Sequence, residues 1–340
     1  MKVLITGIYG FVGWTLADYL TRTFPAVELF GLSRQSQSTR LASSSPMDEA
    51  KRAKPTLRQA GSLAGDTSDF DFVLKVIDEV RPDKIFHLAA HSSVTGSWQT
   101  PAETLRNNIL GQCNLLEAVR TVRDGTRGYD PAVLIAGSSE EYGLVAADEL
   151  PIKETAALRP LSPYGVSKVC QDLLGFQYWQ VHKVRTIRSR AFNQSGPWRD
   201  DSYVDSNFAR QIAAIEAGTQ PPVIRVGNLD AQRDFTDVRD TVRAYWLATE
   251  HGAPGEIYNI CSGQAHSIKE ILETLLRLSR RSDITIEQDP TRLRPSEVPC
   301  VVGDSSKFRQ QTGWQPEFDY LLQTLPDLLN FWRDQLTKKR

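Results

Sequence analysis

The chain has 340 residues, 40% hydrophobic and 24% charged, with a formal net charge of −1. That balance offers no basic face for nucleic acid and no field for an acidic membrane, and no apolar run approaches the ~20 residues that cross a bilayer. Cys113, Cys170, Cys261 and Cys300 stand far apart without a CxxC pair, so neither a zinc knuckle nor a disulfide framework is expected, and the protein reads as cytoplasmic. The first element, residues 2–6, is a short run of buried-strand type, and residues 11–23 follow with apolar side chains at helical spacing. Further strands are expected at 27–32, 84–89, 132–136 and 185–192. Helices are expected at 72–79, near 102–119 and from 167 to about 181. Such alternation predicts parallel pairing by right-handed crossovers, hence an α/β fold with a Rossmann-type doubly wound parallel sheet. Residues 35–54 lack an apolar period and read as a surface loop. After Asn193 the rhythm weakens, returning at 235–249 and 256–261. The expected division is a cofactor domain of residues 1–192 and 228–262, with a smaller C-terminal substrate-binding lobe of residues 193–227 and 263–340.

Gly7-Ile8-Tyr9-Gly10-Phe11-Val12-Gly13 lies between the first strand and the first helix. Glycines there permit a tight turn and close backbone approach to a pyrophosphate, whose charge meets free N–H groups at the helix start. Gly7, Gly10, Phe11, Val12 and Gly13 are therefore candidate cofactor contacts. The second strand ends in Ser33-Arg34, where an acidic residue would hold a free ribose 2′-hydroxyl. A hydroxyl and a guanidinium suit a 2′-phosphate, so NADP(H) is expected ahead of NAD(H), with a solvated surface arginine as the plain alternative. Asp66 and Thr67 stand where an adenine edge would lie, or where a helix needs a cap. Leu88, Ala89 and Ala90, of the run His87–Ala90, join the expected cofactor contacts only through what a family resemblance implies.

Tyr164 and Lys168 are four apart at a helix entry, which puts them on one face. A neighbouring ammonium favours phenolate, so Lys168 is expected to lower the Tyr164 pKa and to hold the nicotinamide ribose. Ser138, at the mouth of the preceding strand, can hydrogen-bond the same substrate oxygen. Glu140 follows two residues later, a spacing that on a strand shares one side with Ser138. No metal site is expected: His87 and His91 on an extended strand would lie roughly 13 Å apart.

These motifs, with Arg190-Ala191-Phe192-Asn193-Gln194-Ser195-Gly196-Pro197, the run from Val226 to Asp240 and Leu293-Arg294-Pro295-Ser296-Glu297, resemble the extended short-chain dehydrogenases/reductases that act on nucleotide sugars. The likeness spans nearly the whole chain and is strongest to the GDP-mannose group, a 4,6-dehydratase and the reductase that follows it. It implies a Ser138–Tyr164–Lys168 catalytic group, a nicotinamide cofactor, and a GDP-sugar bound under the smaller lobe. Ser139, Glu140, Asn193, Asn228, Arg233, Arg294 and Glu297 are the implied substrate contacts. Chemically, Arg233 and Arg294 suit a diphosphate and Glu297 suits ribose hydroxyls, whereas Arg233 could instead pair with Asp234. Three features favour the reductase: the Gly10–Gly13 turn, Ser rather than Thr at 138, and the run from Arg233 to Asp240. A dehydratase needs a base for the C5 proton, and Glu140 is the candidate; a reductase needs none. A non-catalytic cofactor-binding protein is the contrasting class, and the intact Ser138, Tyr164 and Lys168 argue against it. Proteins of this kind also imply a homodimer through a four-helix bundle, although Val169, Leu173 and Phe176 could equally face the sheet.

Overall fold

The computed structural model describes residues 1–34, 61–292 and 298–337. Strands β1 (Lys2–Thr6), β2 (Glu28–Ser33), β3 (Gly61–Ala64), β4 (Lys84–His87), β5 (Ala132–Ser138), β6 (Thr186–Ala191) and β10 (Ile257–Ile260) form one seven-stranded sheet, every pair parallel. Their spatial order, β3-β2-β1-β4-β5-β6-β10, reverses direction between β1 and β4. A crevice opens at that switch point, beyond the strands' carboxyl ends.

Alternation along the strands supplies two cores. Val3 and Ile5 face one way with Phe86, Leu134 and Ile187, against helices α1 (Phe11–Thr23) and α8 (Val238–His251). Leu4, Ile85, Val133 and Ile135 face the other way, against α2 (Phe70–Val80) and α5 (Gly111–Gly125). Because both faces are covered, the central strands carry apolar runs rather than a polar alternate. β3, with the sequence Gly-Ser-Leu-Ala, lacks any β-branched residue and was not expected; pairing with β2 at the sheet edge holds it.

Two short helices, α3 (Val94–Gln99) and α4 (Pro101–Leu105), lead into a π-helical turn at Arg106–Leu110 before α5. The helix expected near 102–119 is thus interrupted, and the extra residue turns Asn108 fully inward. Helix α6 (Pro163–His182) begins earlier than expected: Ser162 caps it by accepting the Gly165 N–H at 3.0 Å, and Pro163 occupies the first turn.

A third core joins α7 (Val204–Glu216), β8 (Val223–Val226), α9 (Ile268–Arg277) and α11 (Leu325–Thr337). In α9, Ile268, Ile271, Leu272 and Leu275 recur at helical spacing and are all buried, each contributing about 1.5–3 kcal/mol of apolar transfer. A small separate sheet joins β9 (Gln232–Asp237) to β7 (Asn193–Ser195), β11 (Ala265–Ser267) and β13 (Cys300–Val301). The chain crosses between cores more than once. Helix α10 (Ser306–Thr312) carries Phe308 back onto the large sheet's core, where Trp314 joins it. Trp198 contacts both this core and the third, its ring centroid 4.9 Å from that of Trp14 in α1 and 4.8 Å from that of Phe331 in α11.

Candidate active site

One cleft of about 1720 Å³ runs along the carboxyl ends of β1, β2, β4, β5 and β6 and under α7. Every expected site residue within the described chain lines it, from Gly7 and Arg34 at one end through Ser138, Tyr164 and Lys168 to Asn193, Asn228 and Arg233. Arg294 and Glu297, like the 35–54 loop, lie outside the described residues.

At the glycine turn the backbone leaves no room for side chains. Gly7 adopts φ +73°, and a Cβ there would stand 2.9 Å from the Ala89 nitrogen; one on Gly13 would stand 2.4 Å from the Gly7 oxygen. Helix α1 starts at Gly10 without a side-chain cap, so its first N–H groups point into the cleft's end with the positive pole of the helix. This bare cradle fits a diphosphate. Thr6 supports it from below: its hydroxyl oxygen accepts the N–H groups of Leu88 and Ala89 at 3.2 and 3.1 Å. The Thr6 proton is then directed to His87 Nδ1, 2.9 Å away. Burial and the Lys168 charge push His87 down to about 3, so the ring stays neutral. Arg34 reaches His91 Nε2 at 3.3 Å, and Asn107 from the π-turn reaches the same nitrogen at 3.0 Å. Asp66 accepts the Ser68 N–H, while the capping of α2 falls to Asp69, which accepts from Phe72.

The catalytic end departs from expectation in two ways. Burial pushes the Tyr164 phenol well above its ordinary value, with Tyr203, Glu140 and Glu141 adding to the rise and a hydrogen bond with Ser138 opposing it. Lys168 holds its ammonium 5.7 Å from the centre of the Tyr164 ring. Its ammonium donates to the Ala136 carbonyl at 2.7 Å, and burial brings its own pKa down to about 8. The second departure concerns Glu140. Ser138 ends β5, but Ser139–Glu141 forms a 3₁₀ turn, so Glu140 does not share a strand face with Ser138. Its backbone N–H donates to the Ser138 hydroxyl at 3.2 Å, and the residue lines the cleft.

Glu141 instead is fully buried. It accepts the Ser138 N–H and the Arg190 guanidinium, and Arg190 and Arg188 both pair with buried Asp172. Burial and the nearby Asp172 charge raise the Glu141 carboxyl, with Arg190 opposing. Asn108, which the sequence reading missed, donates to Ser167 at 2.8 Å and to the His91 carbonyl, fixing the loop after β4 against the helix that carries Tyr164. No single-sequence signal marks it, because the π-turn that aims it inward has no residue signature.

In the lobe, Asp234 does not pair with Arg233. Its carboxylate accepts the N–H groups of Ser262, Gly263 and Gly303 and the Ser262 hydroxyl. Asp234 therefore ties strand β9 to two loops, while Arg233, in the preceding position, lines the cleft. Among the described residues no group of acidic, histidine or cysteine side chains could hold a metal ion.

A doubly wound sheet, a bare glycine cradle and a Ser–Tyr–Lys group sharing one cleft define a short-chain dehydrogenase/reductase architecture. The chain belongs to the GDP-mannose 4,6-dehydratase family, whose model matches residues 4–324. It is 37% identical over 258 residues to the GDP-6-deoxy-D-mannose reductase of Pseudomonas aeruginosa, covering 76% of this chain and 83% of that protein. It is 30% identical over 347 residues to the GDP-mannose 4,6-dehydratase of Homo sapiens, covering 95% of this chain and 89% of that one. The solved structure of RMD from Pseudomonas aeruginosa complexed with NADPH superposes with a TM-score of 0.80 at 31% identity, covering 98% of this chain and 99% of that one.

Proposed function

We propose that the chain is a reductase that uses NADPH to reduce the C4 ketone of GDP-4-keto-6-deoxy-D-mannose to a GDP-6-deoxyhexose of the GDP-D-rhamnose type. The observation that carries this reading is likeness in sequence: 37% identity to the Pseudomonas GDP-6-deoxy-D-mannose reductase, against 30% to the human GDP-mannose 4,6-dehydratase. Tyr164, buried and hydrogen-bonded to Ser138, rests as a phenol and stands where reduction of a ketone consumes a proton.

The Gly7–Gly13 cradle holds the cofactor diphosphate, Ser33 and Arg34 the 2′-phosphate, and Asp66 and Thr67 the adenine. When bound, the nicotinamide supplies the hydride for C4. Ser138 fixes the C4 oxygen, Tyr164 protonates it, and Lys168 binds the nicotinamide ribose. Asn193, Asn228 and Arg233, with Arg294 and Glu297, take the GDP moiety, and Ser139 and Glu140 the sugar. Similarity to the Pseudomonas reductase supports the choice.

A second reading, GDP-mannose 4,6-dehydratase with Glu140 as the base for the C5 proton, draws on one observation: Glu140 lines the cleft close enough for its charge to raise Tyr164. The protein acts in the cytoplasm, in keeping with its four free cysteines. It forms a homodimer through helices α5 and α6. Val166, Leu173 and Phe176 on α6 support this, because they are exposed rather than packed on the sheet.

The test is direct. The purified protein is given GDP-4-keto-6-deoxy-mannose and NADPH, and the reduced-nicotinamide absorbance is followed. Its loss with a 6-deoxyhexose product confirms the reductase; conversion of GDP-mannose to the 4-keto sugar without net cofactor use replaces it with the dehydratase.

A further inference from the structure

A second phenol enters the cleft from the lobe side. Tyr203 stands just before α7, and its carbonyl accepts the Asn207 N–H at 2.7 Å, so the helix fixes its backbone. The loop leading to it is stapled to the same helix. Ser206 donates to the Arg199 carbonyl at 2.7 Å, and Asn207 donates to the Asp201 carbonyl at 2.9 Å. The Trp332 indole N–H donates to the Ser206 hydroxyl at 2.9 Å, which ties the loop to the lobe core.

The direction of the ring is set as well. The Arg199 guanidinium carbon lies 3.3 Å from the centroid of the Tyr203 ring, a cation resting on one face. The hydroxyl reaches across the cleft and donates to the Ser92 carbonyl, on the loop after β4, at 3.4 Å. That is longer than the about 2.5–3.0 Å usual for a hydroxyl donor, so the phenol is aimed but weakly held. Tyr203 and Ser92 line the cleft together with Ser138, Glu140 and Tyr164. After burial, the strongest upward influence on the Tyr164 phenol is Tyr203, ahead of Glu140 and Glu141. The two phenols therefore border one space.

A hexose whose C4 oxygen meets Ser138 and Tyr164 turns its nearest groups into that space. In a 4-keto-6-deoxy sugar, C4 is bonded to C3, which carries a hydroxyl, and to C5, which carries the ring oxygen and the methyl group. Of these, only the C3 hydroxyl both donates and accepts, as a phenol does. We propose that Tyr203 is a substrate-binding residue that holds the C3 hydroxyl of the sugar, exchanging its long bond to Ser92 for one to the substrate. The sugar is thereby held at two adjacent carbons, C4 from the sheet side and C3 from the lobe side, which orients the ring before hydride arrives. This assignment rests on the reductase reading above.

Tyr203→Phe removes the hydroxyl and keeps the ring on which Arg199 rests. Calorimetric titration compares four probes: GDP-mannose, its 3-deoxy analogue, GDP and NADPH. GDP-mannose is expected to bind about 3- to 10-fold more weakly to the variant, the weight of one neutral hydrogen bond, with the other three unchanged. The KM for the 4-keto sugar should rise by a similar factor. Equal weakening of GDP-mannose and its 3-deoxy analogue would place the phenol against another part of the sugar and overturn the proposal. Weakening of GDP or NADPH would show a displaced loop and overturn it as well. Unchanged binding of all four does the same. Wild-type protein that reduces no 4-keto sugar, while the variant still separates GDP-mannose from its 3-deoxy analogue, removes the reductase reading alone.

Discussion

Glu141 accepts the backbone N–H of Ser138 at 2.8 Å while its other oxygen takes the Arg190 guanidinium at 2.9 Å. Two adjacent glutamates therefore have unlike situations. Glu141 braces the serine from behind, within a buried set of two acids and two arginines, whereas Glu140 borders the cleft.

Substitution should separate them. Glu141→Gln keeps the shape but replaces one carboxylate oxygen by an NH₂ group, which leaves either the Ser138 N–H or the Arg190 guanidinium without its buried acceptor, at a cost of about 1–3 kcal/mol. A lowered thermal midpoint and loss of activity are expected together. Glu140→Gln is expected to keep the fold and, in a reductase, to retain ketone reduction within a few-fold of wild type. Complete loss of reduction in Glu140→Gln with an intact melting curve would make Glu140 part of the reducing machinery and contradict its placement as a mere sugar contact.

Tyr164→Phe removes the proton donor without changing the ring's packing. Turnover should fall by about 10²- to 10⁴-fold, the usual weight of a positioned general acid, while NADPH affinity stays near wild type. Ser138→Ala should lower turnover less, since it removes one hydrogen bond to the C4 oxygen and leaves the proton donor in place. Single-turnover rates and cofactor titration read the two effects separately.

The pH profile should carry the signature of Lys168. Its pKa is brought down to about 8 by burial, so the ammonium is present below that pH and is lost above it. The turnover rate should therefore fall as pH rises through about 8. The Lys168 contribution to stability has the opposite slope: between about 8 and its ordinary value near 10.5 the unfolded chain holds the proton more tightly, so this contribution rises with pH. In Lys168→Arg, whose guanidinium stays charged, the alkaline fall should move to higher pH. A rate that holds flat to pH 10 in the wild type would exclude this role.

Gly13→Ala places a carbon 2.4 Å from the Gly7 carbonyl oxygen, which is backbone and cannot swing aside. Overpacking of this kind costs about 1–3 kcal/mol and deforms the cradle, so NADPH binding should weaken along with the melting temperature. Gly128→Ala serves as the control for the added methyl, since a Cβ there meets nothing within 4 Å, although its φ of +82° adds local strain.

Strand–helix rhythm was enough to read the sheet, because β1, β4, β5 and β6 are buried on both faces and their apolar runs announce it. The glycine turn and the Tyr–Lys spacing were readable for the same reason: each demands a particular residue at a particular offset. What escaped depends on partners distant in sequence. β3 is held by pairing alone, with no β-branched residue to signal it. The π-turn that buries Asn108 shifts register without changing composition. The spacing of Ser138 and Glu140 suggested a shared strand face, yet the strand ends at Ser138, since the Glu141 carboxylate draws the following residues into a tight turn. Burial likewise outweighed the expected influence of Lys168 on Tyr164, and burial cannot be read from a four-residue interval.

Trp14 and Trp198 hold their rings 4.9 Å apart at 46°, one indole on the first helix and the other on the segment that enters the lobe. Indoles this close share electronic excitation, and the angle between them makes the coupled pair optically active. The protein therefore carries an internal gauge of how its two halves are seated, readable as a paired-sign circular-dichroism band without any label. A rotation of one half against the other by a few degrees would alter that band before it altered anything a melting curve could detect.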